Sequence, residues 1–325
     1  MSTSESTSQS TRGPASESAR ESVGSVAPAA WAVAGLGGST ASSAFVPVRP
    51  NPLGFRLLRS ELRLVFGRRR NIALLGALAC VPILIAVAIK LSGGPERDDP
   101  GGGPAFIGQI TQNGLFVAFT ALVVTLPLFL PLAVSVAAGE AVAGEASIGT
   151  LRNILVVPVS RTRLLLVKYA SIVAFGVAGA FAVAIAGVVI GFVLFPIGPV
   201  TLLSGGSVDV GTALVRVALV ALYVAAMLAG LAAIGLFAST LTEVPIAAMA
   251  VTAITAVVVQ ILDAVPQISV IHPYLLTDWW LRFGDLLRDP VVYGDMTRGL
   301  LVTLAYVGVF VSLAWARLTT KDVSS

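Results

Sequence analysis

Long apolar blocks constrain this chain more than any other feature of its sequence. Several runs rich in Ala, Val, Leu, Ile and Gly reach about 20 residues, the length an α-helix needs to cross a hydrocarbon core of about 30 Å. Only 12% of the 325 residues are charged, against about 25% in soluble proteins. The sequence therefore predicts an all-α fold, a polytopic membrane helical bundle. A membrane β-barrel is disfavoured, because its strands would be about 10 residues of alternating polarity.

The apolar blocks predict six transmembrane helices. Pro127 and Pro131 should bend the second helix, because proline removes helical hydrogen bonds. The third block is longer than a bilayer requires, so it must tilt, kink or extend beyond the membrane. Its Gly176, Gly179, Gly187 and Gly191 predict faces that allow close helix packing. The predicted spans are Ile72–Lys90, Gly114–Ala138, Leu164–Phe195, Thr212–Ala238, Val244–Leu262 and Arg298–Trp315.

The N-terminal part of the chain differs from the rest. Residues 1–48 are rich in Ser, Thr, Ala, Gly and Pro, which predicts a disordered tail, and residues 49–325 form the predicted transmembrane domain. Residues 52–70 combine leucines at helical spacing with many arginines, a pattern typical of a basic amphipathic helix on a membrane surface. Its predicted interfacial arginines are Arg56, Arg59 and Arg63.

The distribution of basic residues predicts the orientation in the membrane. Lysines and arginines near the spans lie mostly on the side that holds the N-terminus. We therefore expect a multi-pass protein of the plasma membrane with both termini in the cytoplasm. The same bias explains the positive net charge without a nucleic-acid partner. Residues 263–297 would then be external, forming one or two short helices that cap the bundle. Their predicted common helical face holds Leu275, Leu276, Trp279, Trp280, Phe283, Leu286 and Leu287.

A polar insert, Glu145–Lys168, separates the second and third spans. Ile148, Leu151 and Leu155 recur at spacings of three and four, which predicts a short helix with one apolar face. Pro158 would end that helix before the third span begins. Spacing alone fits equally well an ordinary interfacial loop whose arginines only orient the chain.

Several kinds of chemistry are missing from the sequence. It has no G-x-x-x-x-G-K-[ST] loop for binding nucleotide phosphates. Its single histidine, His272, precedes Pro273 and is interpreted as a helix-entry residue, so no catalytic, metal or cofactor site is predicted and the chain is not expected to be an enzyme. No Asp or Glu lies near the middle of a span, which disfavours an ion-coupled carrier.

The insert resembles the permease subunit of ABC-2-type ABC transporters, which carries an E-x-E-x-G-T-L-like box before its third span. Ser147 stands where many members have a second acidic residue. The resemblance extends over roughly Asn51–Val323, with an interfacial helix, six spans and an outer segment before the last span. The matching residues are Glu145, Gly149, Thr150, Leu151, Pro158, Val159, Ser160, Arg161 and Lys168.

The resemblance implies a division of labour between subunits. Such permeases pair with a second copy or a homologue, lie in membrane lipid and bind a separate ABC ATPase subunit, which holds the ATP. The insert would act as a coupling helix that docks in the ATPase. The implied ATPase contacts are Glu145, Gly149, Thr150, Leu151 and Arg152, and the implied link to the membrane is Pro158, Arg161 and Lys168.

The sequence therefore favours the membrane subunit of an ATP-driven exporter. Its substrate is unknown, and the apolar composition of the spans favours a hydrophobic one. Two alternatives stay open at this point. The first is a membrane scaffold or sensor that docks a cytoplasmic partner without transport, and the second is a carrier that needs no ATP.

Overall fold

The computed structural model describes residues 53–91, 113–147, 161–201, 205–291 and 293–320. These residues are almost entirely helical, with one short hairpin, so the predicted all-α membrane bundle is confirmed. The tail 1–48 lies outside the described residues, and its boundary stays a prediction. The elements are α1 Leu53–Gly67, α2 Arg69–Leu91, α3 Phe116–Thr125, α4 Phe129–Ala141, α5 Ala143–Ser147, α6 Arg161–Leu194, β1 Val200–Thr201, β2 Ser207–Val208, α7 Val210–Leu241, α8 Pro245–Asp263 and α9 Gly294–Thr320.

Among the described residues, five helices are long and apolar enough to cross a membrane on their own: α2, α6, α7, α8 and α9. The pair α3 and α4 makes a sixth if it counts as one bent span. The helices extend a few residues beyond most of the predicted blocks. Helix α6 has 34 residues, about 50 Å at 1.5 Å per residue, so it exceeds the hydrocarbon thickness as predicted.

The second span is broken, as its prolines predict. Helices α3 and α4 meet at an angle of 56°, with Pro127 in the break and Pro131 in the first turn of α4. Proline cannot donate a backbone hydrogen bond, so the ladder is interrupted here. Gln260 of α8 reaches the break, and its Nε2 donates to the carbonyl oxygen of Pro127 at 2.6 Å. The break is therefore held by a neighbouring helix.

Helix α7 is the centre of the bundle. In its most apolar stretch 72% of the residues are buried, against 17–33% in the other single-helix spans. It packs against α4, α6, α8 and α9. Apolar residues lie on all sides of this helix, as expected for a helix that is surrounded by its neighbours.

The long helix α6 crosses α3 at very close range. A Cβ at Gly191 would overlap the backbone of Gly114, and one at Gly187 would lie 2.6 Å from Ala118 Cα. These two glycines were predicted to form a packing face, and the structure shows which helix approaches them. Gly176 and Gly179 have looser surroundings, with neighbours at 3.3–3.5 Å.

The segment after α8 differs from its prediction. It contains three short 3-10 helices within the described residues, Pro266–Ile268, His272–Tyr274 and Arg282–Leu287, while residues 275–281 form turns. A single helical face over residues 275–287 is therefore wrong, because turns occupy the first half of that stretch and only Arg282–Leu287 is helical. All seven apolar residues assigned to that face are nevertheless buried. The pattern predicted burial correctly and conformation incorrectly.

Candidate functional site

A buried ionic cluster ties the end of the second span to the start of the third. Lys168 of α6 places its Nζ 2.5 Å from Glu145 Oε1 on α5 and 3.5 Å from Glu61 Oε1 on α1. The Lys168 side chain is 2% exposed, and both glutamate side chains are 11% exposed. We call these three residues the Lys168 cluster. Three helices that are distant in sequence therefore meet at one ammonium group.

Burial decides how strongly this cluster holds its helices. A buried charge without a partner costs several kcal/mol, so an ammonium group is tolerated there only with opposite charges beside it. Glu61 and Glu145 supply those charges, and Lys168 in turn keeps the two carboxylates from facing one another uncompensated. Moving α5 away from α6 would separate Glu145 from Lys168 and would therefore be unfavourable.

A second acid at the end of α4 is also held by cations. Glu140 accepts a hydrogen bond from Arg68 Nη1 and forms an ion pair with Arg70, and both arginines lie where α1 passes into α2. Asn71 closes that turn, donating through Nδ2 to the Val65 carbonyl oxygen at 2.8 Å. Arginines interpreted from sequence as orientation signals thus also fasten α4 to the α1–α2 corner.

The turn between α4 and α5 is completed by a side chain from α7. Ser239 Oγ accepts hydrogen bonds from the backbone N–H groups of Val142 at 3.1 Å and Ala143 at 2.9 Å. The same hydroxyl donates to the Gly139 carbonyl oxygen at 3.0 Å. Backbone groups at helix ends lack intrahelical partners, and here a distant serine satisfies three of them. The start of α5 is therefore anchored to the central helix.

The other end of the insert is fixed to α9. Arg161, the first residue of α6, donates through Nη1 to the carbonyl oxygens of Leu318 at 3.0 Å and Thr319 at 3.1 Å. A cation near the last turn of a helix is favoured by the helix dipole. Trp315 Nε1 also donates to Thr162 Oγ1 at 2.9 Å. Both ends of residues 148–160 are thus attached to the bundle.

The structure brings some predicted site residues together and leaves others outside the described part of the chain. Glu145 and Lys168 bind each other, while Arg161 lies seven residues before Lys168 on α6, roughly 10 Å along the axis. The remaining predicted coupling residues lie outside the described residues, and their roles stay predictions: Gly149, Thr150, Leu151, Arg152 and Pro158.

Glu145 has a different environment from the one its predicted ATPase contact implies. It is buried and its Oε1 is directed at Lys168, so the carboxylate anchors α5 inside the protein. Ser147, two residues on, is exposed, and its hydroxyl donates to the Gly144 carbonyl oxygen at 3.0 Å. The exposed surface of the insert therefore begins after Glu145 in the part of the chain that the structure describes.

Helix α1 has the two faces that its sequence predicts. Arg56, Arg59 and Arg63 are exposed together on one side of the helix. The opposite side packs against α6, with Phe66 near Phe175 at a ring-centroid distance of 6.0 Å. This arrangement is that of an amphipathic helix with a basic outer face.

Sequence reasoning missed Glu61 and Glu140. For Glu61 a signal existed: it stands three residues after Leu58 and four before Val65, so an acid shares the apolar face of α1. An acid on a face that packs against a neighbouring helix requires a cationic partner. For Glu140 the sequence gave a weaker signal. Glu140 and Glu145 together mark the polar end of the second apolar block, but this pattern does not indicate which cations bind Glu140.

Comparison with known protein families gives a match over much of the chain. Residues 67–258, more than half of the chain, match the family model described as ABC-2 family transporter protein. The matched range runs from the end of α1 into α8 and includes Glu140, Glu145 and Lys168. A search of curated protein sequences gave no match.

Proposed function

The chain belongs to the ABC-2 family of transporter proteins, and from that premise we propose that it is the membrane subunit of an exporter powered by a separate ATPase. Family and fold make it a multi-pass membrane permease of the ABC transporter class. The proposal adds the energy source, the docking segment and the direction of transport. The observation that carries it is the Lys168 cluster at the base of the insert.

The cluster supports coupling because it joins the insert to the third span without flexible intermediates. Glu145 lies three residues before residue 148, where the undescribed part of the insert begins, and it is bound to Lys168 on α6. Arg161 attaches the far end of the insert to α9. A displacement of the insert by a partner would therefore be transmitted to α6 and α9, both membrane-spanning helices.

The partner in this proposal hydrolyses the ATP. The 325 residues contain no G-x-x-x-x-G-K-[ST] phosphate-binding loop, so the proposal assigns ATP hydrolysis to another subunit. We assign the docking contacts to Gly149, Thr150, Leu151 and Arg152, and the rigid link to Pro158. Glu145 serves the docking by holding the base of the insert in place.

The remaining parts of the proposal concern the assembly and its cargo. Two copies, or this chain and a homologue, would form the transport pathway in the plasma membrane with both termini in the cytoplasm. Apolar side chains dominate the spans, which supports a hydrophobic substrate. ATP binds in the partner subunit, and no cofactor is assigned to this chain.

Co-expression with a genetically adjacent ABC ATPase tests the proposal. We expect a stable complex whose ATP hydrolysis exceeds that of the ATPase alone, and we expect Gly149→Pro to abolish this stimulation by distorting the docking segment. Gly206→Pro is the matched control, because Gly206 is exposed in the hairpin at the other end of the bundle. Wild-type stimulation by Gly149→Pro would remove the coupling assignment.

A further inference from the structure

Three metal-ligating side chains converge at the end of the bundle opposite the Lys168 cluster. Ligand atoms of Asp263, His272 and Asp278 all lie within 4.8 Å of one another. We propose that they form a binding site for a divalent metal ion. We call the three residues the Asp–His–Asp site. Nothing in the exporter proposal requires it.

The fold assembles this site from three separate elements. Asp263 is the last residue of α8, His272 opens a 3-10 helix, and Asp278 lies in the turns that follow. The sequence predicted His272 as a helix-entry residue, and it does begin a helix. The turns that follow the His272 helix carry Asp278 back to it, while Asp263 is held by the end of α8. All three residues are half-buried, so water is partly excluded from their charges.

The imidazole of His272 is oriented as in many metal sites. Its Nε2 lies 3.1 Å from the carbonyl oxygen of Val265. A carbonyl oxygen only accepts, so in the neutral imidazole this hydrogen bond places the proton on Nε2 and leaves the lone pair on Nδ1. When one ring nitrogen of a histidine binds a metal, a hydrogen bond from the other ring nitrogen to a backbone carbonyl fixes the tautomer and the orientation of the ring.

The negative charges of Asp263 and Asp278 are compensated only in part by the guanidinium group of Arg282. Arg282 Nη2 donates to Asp278 Oδ1 at 3.4 Å, while its Nη1 lies 3.7 Å from Asp295 Oδ2. This guanidinium is therefore divided between two acids, and its side chain is 45% exposed. Like charges held close together in a half-buried position are unfavourable, and a divalent ion would relieve that repulsion.

The donor set indicates the class of metal. One imidazole nitrogen with two carboxylates suits Zn²⁺ or Mn²⁺, and there is no thiolate to select a soft ion such as Cu⁺. Water would complete the coordination. Because the ligands come from α8 and from the turns that cover this end of the bundle, a bound ion would join the two and stabilise the covering segment.

The single histidine of the sequence makes the site directly observable. Full-length protein purified in detergent with a tag free of histidine, and labelled with ¹⁵N at histidine, should give one imidazole spin system. We expect Zn²⁺ to saturate at one equivalent per chain and to shift the Nδ1 resonance, while Nε2 keeps its proton. Mn²⁺ should bind with the same stoichiometry in electron paramagnetic resonance titrations. Absence of saturable binding by wild-type protein up to about 100 µM, a weak limit for a specific site, would overturn the proposal.

Substitutions then identify the ligands. Asp263→Asn, Asp278→Asn and His272→Gln should each weaken Zn²⁺ binding by at least about tenfold. Asp285→Asn is the control, since Asp285 lies in the same segment but pairs with Arg288 at 3.6 Å, and it should bind as wild type does. Zn²⁺ should also raise the melting temperature of wild-type protein and not that of the three variants. Unchanged Zn²⁺ affinity in all three variants would refute the site. If a variant fails to fold, the titration of the wild-type protein still tests the proposal.

Discussion

Lys168 and Glu145 are 23 positions apart in the chain, yet Lys168 Nζ lies 2.5 Å from Glu145 Oε1 in a buried environment. This pair joins the end of α5 to α6 at the base of the polar insert. In the proposed exporter this pair would hold the base of the docking segment against the third span.

Removing the cation of this cluster should destabilise the protein strongly. Lys168→Met removes the buried ammonium group that Glu61 and Glu145 share, and breaking a buried ion pair from one side should cost about 3–5 kcal/mol. The measurement is the thermal unfolding midpoint in detergent. Lys90→Met is the matched control, because Lys90 is exposed at the end of α2 and lies 5.7 Å from the Phe195 ring centroid. Equal midpoints for the two variants would contradict the buried ionic role of Lys168.

The two glutamates should contribute unequally. Glu145 lies closer to Lys168 than Glu61 does, at 2.5 Å against 3.5 Å, while their side chains are equally exposed. Coulomb attraction falls with distance, so Glu145→Gln should lower the unfolding midpoint more than Glu61→Gln does. Both substitutions preserve shape and remove one charge. A larger effect of Glu61→Gln would show that the ammonium group is placed differently.

The crossing of α3 and α6 should tolerate no side chain. Gly191→Ala puts a methyl group into the backbone of Gly114, so the helices must separate, at a cost of about 1–3 kcal/mol or more. Gly176→Ala is the control within the same helix, because its new Cβ would meet Val134 Cγ2 at an ordinary 3.5 Å. That control should be neutral or slightly stabilising, since alanine favours the helix by about 1 kcal/mol. Unfolding midpoints of the two variants decide the matter, and equal values would contradict the close crossing.

Ser239→Ala should loosen the corner between α4 and α5. It leaves the N–H groups of Val142 and Ala143 and the Gly139 carbonyl without the hydroxyl that joins them, at a cost of about 1–3 kcal/mol. Thr255→Ala removes a hydroxyl that bonds within its own helix and should be nearly neutral. Amide hydrogen exchange around residues 142–147 should accelerate in the first variant alone. Unchanged exchange in Ser239→Ala would exclude the anchoring role.

The spanning helices were predictable because burying about twenty consecutive apolar residues leaves few alternatives to a helix that crosses the membrane. The bend at Pro127 was predictable for a similarly local reason, since proline itself lacks the N–H that a helix needs at that position. The packing role of Gly187 and Gly191 followed from their size, although their partner helix did not. In each case the deciding interaction lies within one segment of the chain.

The ionic clusters were not predictable to the same extent. Glu145 and Lys168 were singled out for their place in the insert, and nothing in their spacing indicates that they touch. Glu61 and Lys168 meet because α1 lies against α6, a packing choice that hydropathy does not encode. For the outer segment, apolar content predicted burial, whereas the turns that bring Asp278 beside Asp263 and His272 were not predicted.

The break in the second span also has a consequence for the order of events during synthesis. The Pro127 carbonyl lies at an exposed position of the bundle and receives its hydrogen bond from Gln260, which is made 133 residues later. An unpaired carbonyl in lipid costs several kcal/mol. A straight helix would not pair this carbonyl either, because the residue four positions on is Pro131, which has no N–H. The partner for the Pro127 carbonyl is therefore supplied only when α8, the fifth of the six spans, has been made.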